Sequence, residues 1–175
     1  MSMKIITKIT GFFFVPLFVL CVSSCAPVRK VERAVEVPRF EIEAMPTGIK
    51  GTYLLKVWTY STNPMPDFKQ VKRNAVYGVL FEGFKGKRGI AGQKPIVPNP
   101  KIKTEKAEFF NAFFAEGGAY LNFVDLVNDG AIAAGDRIRM GDLFRIGIVS
   151  SVKAAELRKH LEEAGIIPRL GEGFY

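Results

Sequence analysis

From Thr52 to Tyr60 the chain reads TYLLKVWTY, a run rich in β-branched and aromatic residues that predicts a strand. Tyr53, Leu55 and Val57 fall on one face and Leu54, Trp58 and Tyr60 on the other. Both faces are largely apolar, so the strand belongs inside a sheet. Asn63-Pro64-Met65-Pro66 breaks it, and a helix follows with Asp67 at its N-cap. Phe68, Val71, Ala75 and Val79 share one face of that helix, Lys69, Lys72 and Arg73 flank it, and Gly83 stops it. A second helix is predicted from Glu105 to Glu116, capped by Thr104 and ended by Gly117-Gly118. Its Phe109, Phe110, Phe113 and Phe114 cover a wide arc, which predicts burial on more than one side.

Tyr120 to Val127 reads as another strand, ended by Asn128-Asp129-Gly130. Arg137–Met140 and Leu143–Ile146 flank Gly141-Asp142, where glycine in the first loop position suits a type II′ hairpin. Ser150 or Ser151 is expected to cap a last helix whose Ala154, Leu157, Leu161 and Ala164 share a face, with Gly165 as its end. The order strand, helix, helix, three strands, helix predicts an α+β fold. About four mainly antiparallel strands carry about three helices on one face, as a two-layer sandwich.

The N-terminus follows a different rule. Lys4 and Lys8 precede an almost wholly apolar run from Ile9 to Val22, shorter than the roughly twenty residues a membrane-spanning helix needs. Length and flanks fit a secretory signal peptide. The run closes on Val22-Ser23-Ser24-Cys25, which resembles the lipobox of a bacterial (Bacteroidetes-like) lipoprotein signal peptide. That resemblance implies that Cys25 is acylated, with palmitate-type chains, and becomes the new N-terminus. Leu20 is too bulky to let Cys21 serve in the same way. Each buried methylene contributes about 0.8 kcal/mol, so two or three acyl chains anchor a protein without a spanning helix. The division expected is residues 1–24 as signal peptide, 25–50 as lipidated N-terminus and extended tether, and 51–175 as one α+β domain. Ala26 stands where an aspartate would resemble an inner-membrane retention signal. Pro27, Val28, Arg29 and Lys30 do not resemble the acidic stretch that exports Bacteroidetes-type lipoproteins to the surface. The expected location is the periplasmic face of the outer membrane.

Charge narrows the partners. Lys and Arg number 25 against 17 Asp and Glu, and removing the leader leaves 23 against 17, a net +6. A pI near 9.6 suggests nucleic acid, but an exported chain does not meet it, so no nucleic-acid partner is expected. With two Cys and one His, a His-rich zinc site, a cysteine cluster and a disulfide framework are excluded, and no metal or cofactor is expected.

Gly83 to Lys103 carries four glycines, three prolines and six bases with no acid. Gly-rich backbone can cradle phosphate, but Arg88 follows Gly86-Lys87 where a P-loop needs Ser or Thr, and Phe81 stands where it needs its first glycine. What survives is a cationic loop, Lys85, Lys87, Arg88 and Lys94, that could meet lipid headgroups, an acidic envelope polymer or an acidic partner; a plain solvated loop explains it equally. Asn128-Asp129-Gly130 is a fragment of a calcium loop without the required spacing, and is commoner as a turn. His160 is the only imidazole, and a Ser-His-Asp set would have to use it. No Gly-x-Ser-x-Gly elbow accompanies it. Trp58 could stack on a glycan, although a strand Trp is usually packed.

The expectation is a non-catalytic scaffold or accessory subunit of an outer-membrane assembly, with an outer-membrane or periplasmic protein as partner. The alternatives are a binding module for acidic polymers or headgroups through residues 83–103, and an envelope hydrolase using His160 or an acid pair.

Overall fold

The computed structural model describes residues 39–46, 49–86 and 89–169, all within one compact unit. Its first element is strand β1, Phe40–Ala44, followed by β2, Tyr53–Ser61. Helix α1, Phe68–Tyr77, starts at Asp67, whose side chain accepts a hydrogen bond from the Lys69 N–H at 2.9 Å. It presents Val71, Asn74, Ala75 and Val76 to the interior. A π-helical turn, Gly78–Glu82, continues it and lets the adjacent Val79 and Leu80 both face inward. The carbonyls of those two residues accept from the N–H groups of Ile96 and Val97, so the returning loop satisfies them. Gly83, at φ 67°, ends the turn where the sequence placed the stop.

Two short helices follow, α2 at Pro100–Glu105 and α3 at Ala107–Phe113. Then come β3, Val124–Leu126, β4, Arg137–Met140, β5, Leu143–Val152, and helix α4, Ala154–Glu163. The sheet order is β1-β2-β5-β3, with β4 also on β5, and every pairing is antiparallel. β2 lies inside, as its two apolar faces require. β3 and β4 share the far side of β5: β3 pairs with its end, Ser150–Val152, and β4 with its start, Leu143–Ile146. One sheet face contributes Leu55, Val57, Ile146, Ile148 and Val152 to a single core with Val71, Ala75 and Val76 of α1 and Leu157 and Leu161 of α4. The fold is the α+β two-layer sandwich the pattern predicts, with five strands among the described residues instead of four.

The fifth strand comes from the stretch expected to be tether. Phe40, Ile42 and Ala44 alternate with Glu41 and Glu43, a half-buried strand pattern, and pair with Thr59, Val57 and Leu55. The sheet therefore begins before residue 51. The helix expected at Glu105–Glu116 is split at Lys106 (φ -110°, ψ 31°) and starts earlier, because Asn99 accepts from the Lys101 N–H and Pro100 sits in the first turn. The strand expected at Tyr120–Val127 is a 3₁₀ turn, Ala119–Phe123, before β3. Tyr120 and Phe123 are drawn into the core, and only Val124–Leu126 are left to pair with β5. Ser150 and Ser151 cap nothing: they sit in the ladder opposite Leu55 and Leu54, and α4 begins after Lys153. Ala164 is exposed beyond α4, whose end Gly165 makes at φ 66°. The hairpin is as expected, with Gly141 at φ 64° and Met140 opposite Leu143.

Candidate functional site

The second face of the sheet carries no helix layer among the described residues. Its composition follows from strand alternation: Glu41 and Glu43 on β1, Lys56, Trp58 and Tyr60 on β2, Arg145 and Gly147 on β5, Ile138 and Met140 on β4. Cross-strand register sets Glu41 opposite Trp58, Trp58 opposite Gly147, Tyr60 opposite Arg145, and Arg145 opposite Ile138.

These neighbours form a closed hydrogen-bonded ring. Arg145 donates from Nη2 to Glu41 Oε2 at 2.8 Å and from Nε to the Tyr60 hydroxyl at 3.2 Å, while that hydroxyl donates to Glu41 Oε1 at 2.6 Å. Hydrogen bonds from Tyr60 and Arg145 hold the Glu41 carboxyl below its ordinary range. Burial acts to lower the Arg145 pKa, but the bonds to Glu41 and Tyr60 outweigh it and raise the value. The guanidinium lies over the Trp58 ring, 3.8 Å from its centroid, and the indole N–H donates to Glu43 at 3.2 Å. Beside them Lys56 pairs with the largely buried Asp136 at 2.8 Å.

Trp58 is 7% exposed, packed against Gly147 and beneath Arg145, so its faces offer no platform for a sugar. The exposed apolar groups stand next to it. Ile138, Met140 and Leu143, at 42%, 53% and 41% exposure, lie together at the hairpin on this face. Among the described residues the two other exposed large apolar side chains, Ile49 and Met65, lie elsewhere in the chain.

Of the cationic loop, Lys85 and Lys94 line one cleft of about 580 Å³ along β1. Its walls also hold Glu41 and Glu82, so the two lysines meet carboxylates in a cleft of mixed charge. Lys85 further borders a smaller cleft of about 270 Å³ with Glu43, Trp58 and Arg145. Lys87, Arg88 and Cys25 lie outside the described residues. His160 packs against the rings of Phe123, Phe113 and Phe109 at centroid distances of 5.2, 5.9 and 6.2 Å. Asp129, with Asn128 and Gly130, occupies a left-handed turn, and Asp125 pairs with Lys153 at 3.5 Å. Among the described residues no three His, Cys, Asp or Glu side chains gather as a metal site, and no helix is long and apolar enough to cross a membrane.

Sequence reading does not reach Glu41, Tyr60 and Arg145, because they meet only through strand pairing. The signal that was present is the alternation in Phe40–Ala44 and Arg137–Met140. No protein-family model, curated protein or solved structure matches this chain.

Proposed function

We propose that this chain is a lipid-anchored, non-catalytic docking component of a bacterial envelope assembly, held through Cys25 at the periplasmic face of the outer membrane. Its docking surface is the open sheet face around the β4–β5 hairpin. The observation that carries this reading is the strip of Ile138, Met140 and Leu143, three large apolar side chains left in water side by side. Contiguous exposed apolar surface beside an ordered polar frame marks a protein contact. The Glu41–Tyr60–Arg145 ring supports it, since its members satisfy one another and supply fixed shape and charge. The mixed charge around Lys85 and Lys94 favours a protein partner over an acidic polymer.

The test places a photo-reactive residue at position 140, at 143, or at 159 on the exposed side of α4 in the helix layer, in native cells. Positions 140 and 143 should give the same discrete crosslinked product and position 159 should not. No product from the hairpin, or equal products from both layers, would sink the reading.

A further inference from the structure

β4 is an edge strand: among the described residues it pairs with β5 alone, and it is exposed along its whole length. The register fixes which of its backbone groups turn outward. The Met45 N–H donates to the Leu54 carbonyl at 2.9 Å, so even-numbered residues of β2 bond to β1 and odd-numbered ones to β5. The β5 partners of those odd-numbered residues include Ile146 and Ile148, which leaves Arg145 and Leu143 to bond Ile138 and Met140 of β4. Arg137 and Arg139 therefore point their N–H and C=O groups away from the sheet, and no described residue takes them up.

The side chains of this edge divide by face. Arg137 and Arg139, opposite Ile146 and Phe144, lie on the helix side, while Ile138 and Met140 lie on the open side with Leu143. Arg139 donates from Nε to the Gly141 carbonyl at 3.2 Å and lies 6.0 Å over the Phe144 ring. Neither arginine meets a carboxylate among the described residues. Natural sheets blunt their edges with short strands and charge. Two arginines repel a second copy of this strand, because antiparallel pairing sets arginine opposite arginine, but they favour a strand that carries acids. A partner that covered Ile138 and Met140 without pairing this edge would strip water from its outward N–H and C=O groups and replace none of those bonds. A helix spends its backbone groups on itself. An extended segment has them to give.

We propose that the docking partner engages the hairpin by strand addition: an extended segment of that protein, alternating acidic and large apolar residues, pairs antiparallel with the outer edge of β4. This rests on the docking reading above and deepens it by naming the mode and chemistry of the contact. Antiparallel pairing, the more stable of the two directions, sets outward residues opposite outward residues. From its N-terminal end the segment runs apolar, acidic, apolar, acidic opposite Met140, Arg139, Ile138 and Arg137. Its acidic residues exchange backbone N–H and C=O bonds with the two arginines, and their carboxylates meet the guanidinium groups on the helix side. Its apolar residues widen the strip of Ile138, Met140 and Leu143 by one strand.

The test measures fluorescence anisotropy of labelled octapeptides on the full-length chain in detergent. One peptide alternates valine and glutamate, a second holds the same residues in two blocks, and a third alternates valine and lysine. The alternating acidic peptide should bind, more weakly as salt rises, and roughly tenfold more tightly than either other peptide. Arg139→Pro removes one outward N–H and leaves the ladder to β5 intact, so it should weaken that binding roughly tenfold. Arg137→Glu combined with Arg139→Glu, on exposed positions, should keep its circular dichroism and exchange the preference, taking the lysine peptide instead. No binding of the alternating acidic peptide, equal binding of the block peptide, or unchanged binding to both variants would overturn the proposal. In native cells Arg139→Pro should also abolish the product crosslinked from position 143. If that product persists while peptide binding fails, strand addition is wrong and the docking reading stands. If the wild type gives no product from the hairpin, the docking reading falls and strand addition falls with it.

Discussion

Gly147 sits directly opposite Trp58, and a Cβ at that position would lie 2.8 Å from the indole Cζ3 and within 3.1 Å of two further ring carbons. The indole cannot lift away, because the Arg145 guanidinium covers it and Glu41 and Tyr60 hold the guanidinium. The missing side chain is therefore what lets tryptophan lie flat on an otherwise uncovered face.

Gly147→Ala should destabilise the domain by about 1–3 kcal/mol through overpacking. Gly135→Ala, where a Cβ meets nothing within 4 Å, should cost far less. Urea unfolding of the two variants checks the difference. Equal midpoints would mean the indole repacks freely.

Glu41 sets an acid limit on stability. Its folded pKa is depressed by Tyr60 and Arg145, so its contribution is complete above the ordinary value of 4.5 and is lost as pH falls through the folded value. The wild type should lose stability below about pH 4.5 more steeply than Glu41→Gln. Glu82 acts with the opposite sign: burial raises its pKa, so its charged form weakens the fold as pH rises past 4.5. Glu82→Gln should be more stable than wild type at pH 7 and equal to it in acid. Thermal melts across pH decide both.

Lys56 and Asp136 join β2 to the turn before β4 with side chains only 18% and 11% exposed. Breaking a buried pair leaves an uncompensated charge, at a cost of about 3–5 kcal/mol when burial is complete. Lys56→Met and Asp136→Leu should each destabilise by a large part of that. The double variant should recover most of the loss, since it removes both desolvated charges. A double-mutant cycle in urea measures the coupling, and additive losses would show the pair to be solvated.

How far the sequence carries depends on the range of each interaction. β2, α1 and the β4–β5 hairpin are legible because their signals are local: alternation in TYLLKVWTY, the Asp67 cap and Gly141 in its turn. β1 is obscured by the prolines and glycine around it, although Phe40, Ile42 and Ala44 alternate correctly. The split at Lys106 and the 3₁₀ turn before β3 answer to packing, where Phe110, Phe113 and Tyr120 must all reach one core. The ring of Glu41, Tyr60 and Arg145 spans 104 residues and exists only once β1, β2 and β5 are in register. Long-range pairing of that kind leaves no local trace.

The proposed anchor rests on covalent chemistry at Cys25, outside the described residues. Lys4 and Lys8, the short apolar run and the small Ser23 and Ser24 converge on Cys25, whereas Leu20 disqualifies Cys21. Cys25→Ala should abolish acylation, and the domain should then either enter the soluble periplasmic fraction or keep its leader uncut. Cys21→Ala should change neither lipidation nor fractionation, because that residue only fills the apolar run. Mass spectrometry of the N-terminal peptide, with membrane fractionation of both variants, reads the result. An unmodified Cys25 in the membrane-bound wild type would remove the anchor and with it the outer-membrane placement. The Gly147, Glu41 and Lys56 predictions would stand, since they depend only on the sheet.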